Sequence, residues 1–445
     1  MSTTITFSGS GELTANIVSS QLTTETIVVI DGYTSIGANA FEDANTVTSI
    51  YISNTVTSIG ESAFGPMASL IEINVAIDNS YYASDINKVL FNVDFTTLIQ
   101  YPIGNPQTSY IIPDGVTSIG DYAFQYSNLS QITFPASLQV IGDYAFQYSN
   151  LSQIVIPSGL QTIGIYAFFN NISLTTIVFE NNSNLTSIGN YAFASDPSTS
   201  SLTSINIPAS VTSIGDYAFQ YSNLSTITFD ANSVLTSIGD YAFGYSNISE
   251  IIIPTSILII GNNAFFLCAP LEMVQIDLNS NLTSIGDNAF AGTNITSINI
   301  PASVQTIGNN TFNGLQNIQV YSEYINNLNL IQQIYPNFYG AINANVILYG
   351  SPPVPTPPPY DVNGRGPIQI CISRLANCKI TKKNNFSNGY VINNRATAMQ
   401  RMSTLISVQS QMRNATWTQI YAPVNAYSQR TGGPVGYGQS PKNTF

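Results

Sequence analysis

The chain has 445 residues, of which 44% are hydrophobic and 8% charged, and its net charge is −13. The apolar share is enough for a sizeable core, while Ser, Thr, Asn and Gln stand where charged side chains, usually about a quarter of a protein, would be expected. Having no histidine excludes Ser-His-Asp and Cys-His nucleophile activation, and three cysteines without CxxC spacing exclude a disulfide scaffold and the common zinc motifs.

The charge is divided along the chain. Residues 1–350 hold 23 acidic side chains against a single basic one, Lys88, whereas residues 351–445 hold ten basic side chains against one acidic one, Asp361. Two regions with different partners are therefore expected. The opening "MSTTITFSGSGELTA" has neither the charged nor the apolar part of a secretory signal. No apolar run approaches the roughly 18 residues of a transmembrane helix, so no transmembrane segment is expected.

From the N-terminus, an "IG" dipeptide recurs at Gly37, Gly60, Gly120, Gly142, Gly164, Gly189, Gly215, Gly239, Gly261, Gly286 and Gly308. Nine of the ten intervals are 22 to 26 residues and one is 60. A period in the twenties predicts a solenoid, in which each unit forms one coil and buries its face against its neighbours. In the unit at residues 202–219, "LTSINIPASVTSIGDYAF", Ile205 and Ile207 should point inward from a short strand, with Ser204 and Asn206 outward. Pro208 should end the strand. Val211 and Ile214 return to the core, and Gly215 permits a turn that a Cβ would obstruct. Asp216 should cap a short helical turn, and Ala218 and Phe219 close the coil. Stacking then predicts one aromatic column through Phe124, Phe146, Phe168, Phe193, Phe219 and Phe243. The fold class expected is mainly β: a right-handed leucine-rich-repeat solenoid of about eleven coils, about 50 Å long, with a small irregular or helical basic segment at the C-terminus.

The repeated stretch "GDYAFQYSNLS" reads as a building block rather than a site, because its letters fall on core and turn positions. The aspartates after the glycines (Asp121, Asp143, Asp216, Asp240, Asp287) suit capping better than a cation ladder, since the same column also holds Asn190, Asn262 and Asn309. No two carboxylates stand out as a glycosidase pair, so no catalytic residue, metal or cofactor is expected. The outward strand positions form an uncharged column that includes Thr133, Val155, Val178, Asn206, Thr228, Ile252 and Gln275. It fits a surface for a glycan or another protein, or simply small β-formers suited to a tight stack.

"IPxxVTSIGxxAF" at this spacing resembles the BspA-like leucine-rich repeat family over about residues 1–320. The 60-residue interval is similar to that family's recurring hairpin insertion, here at about residues 71–116 around "YY", "VLFN" and "LIQYP". The resemblance implies a surface adhesion or interaction protein.

An irregular coil at about residues 315–350 reads as a terminal cap, closing a solenoid domain over residues 1–350. "SPPVPTPPPYDVNGRG", residues 351–366, reads as a semi-rigid linker. Residues 367–445 read as a basic, aromatic anchoring segment. Its candidate partner-binding residues are Arg374, Lys379, Lys382, Lys383, Arg395, Arg401, Arg413, Trp417, Tyr421, Tyr427 and Arg430. A helix is expected from about Arg395 to Gln411. The basic side chains are too sparse for a nucleic-acid surface, and the apolar stripe too short for membrane binding. A protein partner, namely a large assembly such as a capsid, is expected. The segment, ending in "SPKNTF", resembles virion proteins of large DNA viruses, which implies a virion or cytoplasmic location ahead of the cell surface.

Overall fold

Each repeat supplies one long strand and one short strand, and the unit at residues 202–219 shows why. Ser204–Ile207 is the long strand, with Ile205 and Ile207 buried and Ser204 and Asn206 exposed. Pro208 follows its last residue, and Ser213–Ile214 forms the short strand. Val211, Ile214, Ala218 and Phe219 fill the interior of the coil.

The computed structural model describes residues 2–315, apart from Ser198, and the backbone strands Gln319–Ser322, Asn345–Leu348 and Gln369–Cys371. It is a mainly β solenoid of about 13 turns. The glycine count gave eleven. One extra coil, with strands Thr4–Ser8 and Glu12–Leu13, precedes the first repeat glycine. The other comes from the insertion, whose strand Thr97–Gln100 pairs parallel with Ser118–Ile119 without a glycine of its own. Among the described residues there is one helix, Ala15–Gln21, which buries Val18 in the first coil.

The column of short strands runs unbroken in parallel from Thr97–Gln100 to Thr306–Ile307. At its insertion end it carries Leu90–Asn92 and Tyr82–Ser84, both added antiparallel. Glu12–Leu13, Ser35–Ile36 and Ser58–Ile59 form a separate three-stranded sheet on the far side of the insertion. The long strands divide into sheets of four, four and eight strands. The last of these continues through Gln319–Ser322 and Asn345–Leu348 in parallel and ends on Gln369–Cys371, which is antiparallel.

The phenylalanine column forms as expected and extends further. Rings from Phe124 to Phe312 stack with centroids 4.8 to 6.0 Å apart, and Tyr101 continues the stack at 5.2 Å from Phe124.

The obstruction expected for a Cβ at Gly215 is present, and it comes from the preceding coil. A Cβ there would lie 2.5 Å from Asn190 Oδ1 and 2.7 Å from the Asn190 nitrogen, so glycine is required by the close approach of the preceding coil. The left-handed positions belong to Tyr217 (φ 58°) and Tyr221 (φ 57°), in a turn that contains no helix.

Asp216 accordingly caps nothing in its own coil. Its Oδ1 accepts the backbone N–H of Asp240 at 2.8 Å, one coil further on. The same bond links Asp121 to Asp143, Asp143 to Ile165, Asn190 to Asp216, Asp240 to Asn262, Asn262 to Asp287, and Asp287 to Asn309. Asn and Asp serve equally because only a carbonyl-type oxygen is needed.

Candidate functional site

The long strands carry the expected outward column. Val155 pairs with Val178, Asn206 with Thr228, and Ile252 with Gln275, all on one exposed face; Thr133 is exposed on the same column. Val155, Val178 and Ile252 are 52%, 47% and 62% exposed, which is high for apolar side chains in a sheet. The face is not one continuous sheet. Pairing between Gln131–Thr133 and Gln153–Ile156 is confined to Gln131↔Gln153. Thr176–Phe179 and Ser204–Ile207 belong to separate sheets. Thr226–Phe229 and Glu250–Ile253 meet only at Thr226↔Glu250.

Each opening follows a coil with phenylalanine at the last inward position (Phe134, Phe179 or Phe229), but phenylalanine there does not by itself part the strands: Phe7 holds the same position and pairs in full register with Ile30 of the next coil.

The third opening forms a cleft of about 400 Å³. Its floor includes Phe229, which packs on the core, together with Ile251, Ile252 and Pro254. Its rim includes Thr228, Asp230, Asn232, Glu250 and Thr255. Part of that rim is prearranged: Asn206 Nδ2 donates to Asp230 Oδ1 at 2.7 Å, and Thr228 Oγ1 donates to Asn206 Oδ1 at 2.8 Å. The sequence reading found Thr228 and Ile252 but not the cleft. A second hollow of about 240 Å³ lies at the insertion, lined in part by Glu61, Gln100 and Asp121.

A surface row of tyrosines was also missed. Tyr122, Tyr144, Tyr166, Tyr191, Tyr217 and Tyr241 stack face to face at 4.4 to 5.0 Å. Burial and then the flanking Tyr166 and Tyr217 push the Tyr191 hydroxyl up to about 12. Neighbours cover both faces of each inner ring, so the row presents edges and hydroxyls rather than stacking platforms. Its fixed offset of two residues from each repeat glycine was the sequence signal.

The basic and aromatic residues proposed as an anchor, Arg374 to Arg430, lie outside the described residues, as does the helix expected there. Among the described residues, no three His, Cys, Asp or Glu side chains converge as a metal site, and no helix is long and apolar enough to cross a membrane.

Parallel coils that share one aromatic column and one strand face define a leucine-rich-repeat solenoid. The chain belongs to the BspA type leucine-rich repeat family, whose model matches residues 4–102, 103–201 and 186–319. No curated protein matches the chain. Several solved structures are similar. A leucine-rich repeat protein from Eubacterium ventriosum is 23% identical, with 60% of this chain and 91% of that one covered and a TM-score of 0.42. A leucine-rich cell surface protein from Faecalibacterium prausnitzii is 24% identical, covering 64% and 88%, with a TM-score of 0.37. A leucine-rich repeat protein from Bacteroides ovatus is 24% identical, covering 67% and 80%, with a TM-score of 0.39.

Proposed function

We propose that this chain is a non-enzymatic interaction protein of the adhesin kind, whose long-strand face recognises a protein or glycan. The carrying observation is the face itself, which is uncharged along its outward column, exposes Val155, Val178 and Ile252, and is opened by a cleft. Val155 and Val178 lie side by side, and Ile252 stands beside the cleft; exposed apolar side chains set among neutral polar ones suit a recognition surface. For the basic C-terminal segment we propose attachment to a large assembly, a capsid being one such partner. That role rests on the segment's charge and aromatic content alone.

The test compares the full chain with a chain ending at residue 350 on a protein and glycan array. Equal array binding by both supports recognition by the solenoid. Binding that disappears with residues 351–445 transfers recognition to the tail and sinks the strand-face reading.

A further inference from the structure

We propose that the cleft between Thr226–Phe229 and Glu250–Ile253 binds a neutral saccharide of one or two sugar rings, an inference that rests on the strand face being the recognition surface. About 400 Å³ falls within the usual range of small-molecule sites, about 300–1,000 Å³.

The lining decides the chemistry. Phe229, Ile252 and Pro254 contribute apolar carbon for the C–H face of a sugar, and Thr228, Asp230, Glu250 and Thr255 contribute oxygens. Asp230 has one oxygen held by Asn206, and Thr228 is tied to the same asparagine, so part of the rim is set before any ligand arrives. Strand pairing stops after Thr226↔Glu250, so beyond that point the facing edges of the two strands share no ladder bonds. Backbone groups there can bond the hydroxyls of a sugar.

Charge removes the anionic alternatives. Lys88 is the sole basic side chain in residues 1–350 against 23 acidic ones, so sulfated, sialylated or phosphorylated ligands are repelled. A simple cation would satisfy Asp230 and Glu250 but make no use of the hydroxyl rim. A neutral sugar uses all three elements: floor, rim and strand edges.

The experiment is saturation-transfer NMR on the full chain with cellobiose, lactose and chitobiose, and with choline and a heparin disaccharide as charged probes. At least one neutral disaccharide should bind with a dissociation constant of order 1 mM. Its binding should weaken at least tenfold in the Asp230→Asn/Glu250→Gln variant. Ile252→Asn, a change at an exposed position away from the core, should weaken it as well. Silence from all three neutral sugars, tighter binding of choline or heparin, or unchanged binding in both variants would each overturn the proposal. If array partners still bind the strand face but no neutral disaccharide competes with them, this inference fails and the strand-face reading survives.

Discussion

Asp216 illustrates what one residue does when it is repeated. Its carboxylate stabilises the next coil by accepting a backbone N–H, and each member of the column hands the same bond forward. The ladder breaks at Ile165, whose backbone N–H donates to Asp143 but which has no side-chain oxygen to accept from Asn190. Ile165→Asn should therefore complete the ladder and raise stability by about 1 kcal/mol. Asp216→Ala should cost about 1–2 kcal/mol, while Asp216→Asn should be close to neutral. Denaturant titration of the three variants checks these values. Gly215→Ala should be worse than any of them, since its Cβ would meet the backbone of the preceding coil. Tyr191 gives a pH prediction. Its hydroxyl is raised from the usual value of about 10 to about 12, so the folded state holds the proton longer than the unfolded state. The corresponding stability is complete below about pH 10 and is lost as pH rises through about 12. Tyrosinate absorbance of the wild type against Tyr191→Phe, followed alongside unfolding, should show Tyr191 ionising late; its ionisation at pH 10 with no loss of stability would contradict this.

At the scale of the element, the coil explains why the composition is so poor in charge. A repeat places like residues one strand spacing apart, about 4.8 Å, where equal charges repel. Hydroxyls and amides instead link one coil to the next. Thr186, Thr212 and Thr236 each donate to a carbonyl of the coil before, as do Ser210 and Ser256. Phenylalanine plays two parts. In the central column it is essential packing, and Phe219→Ala should cost about 3–5 kcal/mol. At the end of Thr226–Phe229 it lines the cleft. Phe229→Ile should let Glu250–Ile253 close onto Thr226–Phe229 and remove the cleft, which hydrogen exchange would report as new protection at residues 251–253. Unchanged exchange would show that another feature holds the strands apart.

For the whole molecule, the fold was legible because a solenoid writes the same constraint many times. The isoleucine alternation of Ser204–Ile207, the proline that ends it and the phenylalanine column all followed from one unit and its period. What escaped was whatever depends on the neighbouring coil. The partner of Asp216, the contact that requires Gly215 and the cleft beside Phe229 are relations between copies, and the pattern within a copy does not contain them. Coils lacking the glycine were missed for a simpler reason: the count relied on that letter. The candidate face was legible as an outward column, because strand alternation dictates it. Its division into three sheets was not, because strand pairing is a relation between coils that the pattern within one coil does not contain.

The central claim is that this solenoid recognises its ligand through the long-strand face. The direct measurement compares two surface variants of the full chain, each with an unchanged melting temperature, for binding to array-identified ligands. One carries Val155→Lys, Val178→Lys and Ile252→Lys on the strand face; the other carries Tyr126→Ser and Tyr148→Ser, an exposed pair of turn tyrosines whose rings stack 5.2 Å apart, away from that face. Binding should fall at least tenfold in the first variant, about 1.4 kcal/mol or more, and stay within about twofold in the second. Retained binding in the strand-face variant, or loss confined to the tyrosine variant, would contradict the account.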